Sequence, residues 1–407
     1  MENTFAALGL IPQLVKAVDE CGYKEPTPVQ QQSIPIALAG RDVVGSAQTG
    51  TGKTAAFMLP ILQRMYANPK PGMRALVLVP TRELAEQVLQ NTRAYAKHLG
   101  IKAQAVYGGV GMEPQTKALR KGVEVVVATP GRFLDHMERG NVKPAGLEFL
   151  VLDEADRMLD MGFSKDVHKI LDFLPKGRQT LFFTATISPE VDRLAKHALD
   201  DHAAVEIGGR AETAEGVQHI LLAVDKQDKR GALTTLLQGV ADNARTLIFT
   251  RTKYGADKLA HHLKKDGVEV AALHGGKTQP MRTKTLDRFR SGKIRLLVAT
   301  DVAARGIDVS NIHMVVNFDV PQDPEVYVHR VGRTARAGTQ GLALTLMSPD
   351  EWLMMRDIEK LMGRTLNRDV VPGYEPSVPP AGPNDHIEKK SKKKSSIRGR
   401  RGIARRR

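Results

Sequence analysis

Three stretches of this 407-residue sequence carry residue types suited to acting on a phosphorylated substrate. In SAQTGTGKT (46–54), Gly50 and Gly52 precede Lys53 and Thr54. Glycines let a backbone wrap closely around phosphates, and the free amides of a helix start stabilise anions. Lys53 would reach the β- and γ-phosphates, and the Thr54 hydroxyl would help hold Mg2+. The strict pattern wants glycine at position 47, where this chain has Ala47. In LEFLVLDEAD (147–156), an apolar run ends in acids. A carboxylate at a strand's C-terminal end faces the ligand crevice of an open α/β sheet. Asp153 is thus placed to hold Mg2+ through water, and Glu154 to orient or deprotonate an attacking water. Far along the chain, HRVGRTARAG (329–338) spaces Arg330, Arg333 and Arg336 three apart. Alone, that comb reads as the solvated basic end of a helix.

The elements that must position these residues follow from hydrophobic patterning. Short apolar runs at 42–47, 75–80, 123–130, 147–154 and 179–186 alternate with helical segments such as 81–99. This predicts a parallel sheet covered on both faces. The polar, Gly/Ala-rich stretch 204–218 reads as a linker. The pattern then restarts, with runs at 245–250, 268–275, 294–301, 314–321 and 341–347 and a closing helix over 348–366. The predicted organisation is an α/β lobe over 1–207, a linker over 208–217, a second α/β lobe over 218–368, and a Pro/Gly-rich connector with a basic tail over 369–407. One phosphate loop and two similar lobes suggest a site shared across a cleft.

Composition narrows the class. A single cysteine, Cys21, excludes an internal disulfide and suits a reducing cytosol. No secretory leader is visible, and no apolar run nears the roughly 20 residues of a membrane span. The expectation is a soluble, cytoplasmic protein. Formal net charge is +15, and residues 389–407 hold five Lys, six Arg and no acid, leaving +4 for the rest. Such a tail suits nucleic acid or another polyanion.

GYKEPTPVQ (22–30), PTREL (80–84), TPGR (129–132), VLDEADRMLDMGF (151–163), ATDVAARGID (299–308) and HRVGRTARAG occur in one order. That ordered set resembles the DEAD-box RNA helicases, and the tail and length resemble their bacterial RhlE-type branch. The resemblance implies two tandem RecA-like domains with helix-flanked parallel sheets, ATP and Mg2+ as cofactors, and RNA bound without sequence preference. It further implies a cytoplasmic, monomeric core, with ribosomal precursor particles or RNA-decay proteins as partners. A DNA-dependent ATPase of the same superfamily and a tail-driven RNA annealing protein are the rival readings.

Roles carry over to matching positions. Gln30 would read the adenine edge, Tyr23 would stack on the base, and Phe5 would take the family's accessory aromatic position. Gln48, Thr49, Gly50, Thr51, Gly52, Lys53 and Thr54 would cradle the phosphates, and Asp308 would bind the ribose. His329, Arg333 and Arg336 would face the γ-phosphate, leaving Arg330 to structural ion pairs. RNA contacts would fall on Pro80, Thr81, Arg82, Gly108, Gly109, Thr129, Gly131 and Arg132 in the first lobe. In the second they would fall on Thr250, Arg251, Gly275, Gln279, Arg282 and Thr300. Asp156, with Thr184, Ala185 and Thr186, would couple hydrolysis to strand separation; Thr184 stands where the family usually has serine. Ala335 stands where the family often has glycine, and its extra methyl should be tolerated.

Overall fold

The computed structural model describes residues 3–46, 51–206, 216–240, 244–304, 312–335 and 340–378. Gln48, Thr49, Gly50, Asp308, Arg336 and the basic tail lie outside the described residues. The first apolar runs form strands β1 (Asp42–Ser46), β2 (Ala75–Leu78), β3 (Ala103–Val106), β4 (Val125–Ala128), β5 (Phe149–Leu152), β6 (Gln179–Thr184) and β7 (His202–Glu206). They make one parallel sheet of order β3-β4-β2-β5-β6-β1-β7. Every residue of β2, β4, β5 and β6 is buried, because helices cover both faces.

The second lobe contains β8 (Val217–Ala223), β9 (Arg245–Phe249), β10 (Val270–Leu273), β11 (Leu296–Ala299), β12 (Ile312–Asn317), β13 (Gly341–Met347) and β14 (Asn367–Val370). Its order is β10-β11-β9-β12-β13-β8-β14, the first sheet's order with each strand number raised by seven. The two lobes are thus one topology used twice. Each has its own apolar layers on either side of its sheet.

The helix after β1 begins at Lys53, and the helix after β8 begins at Lys229. The buried Lys229 ammonium is 2.5 Å from Glu351 Oε2 and donates to the Phe318 carbonyl at 2.9 Å. Glu351 also accepts from the backbone amides of Val320 (3.1 Å) and Ser348 (3.1 Å).

Two boundaries differ from expectation. Residues 204–206, read as linker, finish β7 against β1, and Val217 and Gln218 begin β8. Backbone pairing holds these residues in strands although they form no long apolar run. The second sheet also reaches beyond 368: β14 ends at Val370, Val371 is buried, and Tyr374 packs over Gly231. Among the described residues no helix is long and apolar enough to cross a membrane.

Candidate active site and nucleic-acid face

The acids and the lysine converge at the C-terminal ends of β1 and β5. Lys53, on the first turn of its helix, is buried with its Nζ 3.9 Å from Asp153 Oδ1. Asp153 Oδ1 and Glu154 Oε1 are buried and accept no hydrogen bond. Such acceptors are costly unless a ligand completes them. Burial raises the Asp153 carboxyl above the ordinary range, with Lys53 opposing. Burial also acts to raise Glu154, but Arg157, Lys53 and Arg333 outweigh it and hold that carboxyl low. The Arg157 guanidinium, itself buried, donates to Glu154 Oε2 at 2.8 Å. Glu154 has φ 55° and ψ 52°, a left-handed conformation that a non-glycine residue keeps only where its surroundings impose it.

These groups fit a hydrated magnesium ion. A desolvated carboxylate with an open oxygen stands beside the helix start that carries Thr54, also a hydroxyl donor. Among the described residues no three carboxylate, histidine or cysteine side chains gather, so most ligands would come from water and phosphate.

Asp156 ties this site to β6. Its Oδ2 accepts from the amides of Ala185 (3.1 Å) and Thr186 (3.0 Å) and from the Thr186 hydroxyl (3.1 Å). The Thr184 hydroxyl donates to the Thr186 carbonyl at 2.7 Å. Across the lobe boundary, Glu325 has its carboxyl raised by burial and by Asp323, Asp156 and Asp160.

The second lobe brings His329 and Arg333 to the same place. Both line a small cleft with Arg157 of the first lobe. Burial, then Arg157, lowers the His329 imidazole to about 4, so it is neutral at pH 7. Arg330 lines the same cleft, but its side chain is engaged within the second lobe. Its guanidinium grips Asp301 twice (2.6 and 2.9 Å), Asn317 Oδ1 (3.1 Å) and the Asp319 carbonyl (2.7 Å), and lies 5.0 Å from the centre of the Phe249 ring.

The residues assigned to adenine from the sequence are embedded in the first lobe. Phe5 is only 3% exposed and belongs to the first lobe's core. Its ring stacks on Tyr23 at 6.4 Å, and Tyr23 O–H meets Tyr95 O–H at 3.0 Å. Phe5 thus packs against Tyr23 within the first lobe. Gln30 closes the capping box of the helix Pro28–Leu38: its Oε1 accepts from Thr27 N–H (2.9 Å) and its Nε2 donates to the Gly52 carbonyl (3.0 Å). One N–H and one lone pair of the amide are left, the complement of an adenine edge. Gly52, at φ 93°, has no room for a side chain, since a Cβ would strike the Gln30 amide.

The residues assigned to RNA divide between scaffold and surface. Thr81 caps the helix Arg82–Tyr95, accepting from Leu84 N–H at 3.2 Å, and Thr129 is the N-cap of Pro130–Glu138. Pro80, Thr250 and Thr300 are buried, Gly131 is half-buried and Gly275 is exposed. Gly109 makes way for Arg82, whose guanidinium would collide with a Cβ there, whereas a Cβ on Gly108 would only touch it. Arg132 donates to the Val110 carbonyl at 3.1 Å. Arg251 donates to the Val320 carbonyl (3.0 Å) and Glu351 (3.2 Å). Gln279 and Arg282 reach across to Glu83 of the first lobe, whose Oε1 accepts from Gln279 Nε2 (3.2 Å) and Arg282 Nε (2.8 Å).

The family model described as DEAD/DEAH box helicase matches residues 27–194, and that described as helicase conserved C-terminal domain matches residues 228–338. The chain belongs to the DEAD-box helicases. It is 43% identical over 357 residues to the ATP-dependent RNA helicase CshA of Limosilactobacillus reuteri, covering 88% of this chain and 71% of that protein. That name differs from the RhlE-type branch which the tail suggested. Among solved structures, S. cerevisiae Dbp5 bound to RNA and ADP BeF3 matches with a TM-score of 0.83 at 32% identity, covering 91% of this chain and 96% of Dbp5. The DEAD box protein of Methanococcus jannaschii is more similar in sequence, at 37%, yet its TM-score is 0.53 over 90% of this chain and 99% of that one. Over 91% of its length, both lobes included, this DEAD-box helicase superposes on RNA-bound Dbp5.

Sequence reasoning passed over Arg157, Glu83 and Glu325. Each is a charged residue in a helix, where a solvated face is the default reading, and only the fold brings Glu83 and Glu325 to the lobe boundary.

Proposed function

We propose that this DEAD-box helicase is an ATP-dependent RNA helicase that hydrolyses ATP on binding RNA and opens short duplexes locally. One observation carries the reading: the acid pair and lysine of the first lobe meet His329 and Arg333 of the second at one buried junction. Lys53 would neutralise the β- and γ-phosphates. Glu154, ionised and with Oε1 open, would orient the attacking water and take up its proton. Arg333, with Arg336 beside it in sequence, would stabilise charge developing on the transferred phosphoryl group, an effect of roughly 10³–10⁵ in rate. Neutral His329 would donate a hydrogen bond at that junction. Thr54 and Asp153 would hold Mg2+, which when bound supplies positive charge to the β- and γ-oxygens. Asp308 would bind the ribose, and Gln30 and Tyr23 the base.

RNA and ATP would both favour joined lobes, so each strengthens the other's binding. The Asp156 contacts to Ala185 and Thr186 would transmit the state of the nucleotide to the RNA face. Hydroxyls, amides and guanidiniums on that face suit phosphates and 2′-hydroxyls, giving little sequence preference. We extend the reading to a monomeric, cytoplasmic core acting on ribosomal precursor particles or beside RNA-decay proteins, with the basic tail as a further RNA contact.

The test is ATP hydrolysis with and without RNA, and with DNA in its place. RNA should stimulate and DNA should not. Lys53→Ala and Glu154→Gln should each reduce the stimulated rate to background while RNA binding persists. Wild-type hydrolysis by Glu154→Gln would remove Glu154 from the site.

A further inference from the structure

A groove of about 700 Å³ opens where the first lobe's Val110 meets the helix Gln279–Arg290 of the second. Apart from Val110, all its walls belong to the second lobe, so the groove is complete only with the lobes together. It continues directly from residues already assigned to RNA. Val110 follows Gly108 and Gly109 and is pinned by Arg132, and Gln279 forms part of the wall.

Its charge is unusual for this protein. Residues 279–295 hold six cations and one acid, Asp287. That +5 exceeds the net +4 of the whole chain outside the tail, so everything else before residue 389 sums to about neutral. Three of the six, Lys284, Arg288 and Lys293, line the groove and are solvent-exposed, and among the described residues none has an ion-pair partner. Asp287 also lines the groove, but it pairs with Arg290 at 3.3 Å. Solvated surface cations usually stand among acids; a cleft where one sign predominates attracts the opposite charge.

We infer that this groove is an additional site for the ribose-phosphate backbone of single-stranded RNA, with Lys284, Arg288 and Lys293 as its phosphate contacts. The inference rests on the RNA helicase reading and extends it beyond the motif residues. The strand, after passing the Gly108–Gly109 turn and Gln279, runs along the exposed face of the helix. Point charges on long side chains give affinity and register without reading bases. Because Val110 closes one side, the contact rewards joined lobes and adds to the coupling between RNA and nucleotide.

The test uses the full chain and a fluorescein-labelled oligouridine long enough to cross both lobes. Affinity is measured by anisotropy over a salt series, with and without a non-hydrolysable ATP analogue. The variant Lys284→Ala/Arg288→Ala/Lys293→Ala is compared with Lys16→Ala/Lys24→Ala/Lys121→Ala, an equal charge loss at exposed positions elsewhere. The groove variant should flatten the log–log salt slope by about 2, at roughly 0.7 per lost single-strand phosphate contact. The control should leave the slope near wild type. The loss should be larger with the analogue than without, and hydrolysis without RNA should be unchanged. Equal slopes for groove variant and wild type, or for groove variant and control, would overturn the site. An equal loss with and without the analogue would overturn its dependence on joined lobes. Wild-type protein that fails to bind oligouridine at all would sink the helicase reading itself, a different result from failure of the groove alone.

Discussion

Replacing Arg330 with alanine should unfold the second lobe more easily and leave the chemistry of the first lobe in place. The guanidinium is 2% exposed and satisfies both Asp301 oxygens, Asn317 Oδ1 and the Asp319 carbonyl. Removing one partner of a buried ion pair costs about 3–5 kcal/mol, because the other charge stays behind. Asp301 keeps 27% side-chain exposure, so water recovers part of that loss. The contact with the Phe249 ring adds roughly 0.5–2 kcal/mol. The expected sum is about 3–4 kcal/mol, a large share of a typical domain's 5–15 kcal/mol. The chain's single tryptophan, Trp352, packs against the second lobe's core and reports on that lobe. With a urea slope of roughly 1–3 kcal/mol/M, its fluorescence midpoint should fall by more than about 1 M. Arg333→Ala should give the opposite profile, losing RNA-stimulated hydrolysis with a smaller change in midpoint. If Arg330→Ala kept the wild-type midpoint and lost only hydrolysis, Arg330 would belong with the reacting groups and the structural assignment would fall.

Two further outcomes use the same fluorescence. Ala335 has φ 53°, a left-handed backbone that costs a residue with a Cβ about 1–2 kcal/mol, so Ala335→Gly should raise the midpoint and a fall would show that the methyl's packing outweighs the strain. His219 is lowered to about 4, by burial first and Arg364 second, while an unfolded histidine titrates near 6.5. The unfolded chain therefore binds the proton first as pH falls. Stability is whole above about 6.5 and is lost progressively down to about 4, by up to roughly 3 kcal/mol. His219→Gln should remove that part of the midpoint's pH dependence, and an unaltered dependence would assign it to other groups.

Ten of the strands were legible because they are apolar runs, most of them buried on both faces. The four that were not, β3, β7, β8 and β14, lie at or next to a sheet edge. There Gln104, Gln218, Arg368 and Asp369 are tolerated, and pairing rather than burial makes the strand. The site was legible where chemistry fixes both type and spacing, as with Lys53, Asp153 and Glu154. It was less so where one residue serves two ends. Gln30 has the right amide for adenine and also the right one for a capping box. Phe5 has the ring expected near a base, and its stacking on Tyr23 within the core left no mark in the sequence. Ala335 looked harmless because a left-handed φ leaves no mark in the sequence. The division among three evenly spaced arginines followed from the family resemblance, but the partners of Arg330, Asp301 and Asn317, came only from the fold.

The repeated topology has a further consequence at Lys229. It opens the helix after β8 as Lys53 opens the helix after β1, yet it faces Glu351 and the Phe318 carbonyl in place of an open crevice. The second lobe has filled its own counterpart of the phosphate site with an internal carboxylate. A bound anion there would have to displace a covalently attached competitor that never dissociates. Duplicated folds can in this way keep a binding architecture and silence it. The silent copy then holds its arginines at fixed positions for the copy that still turns over substrate.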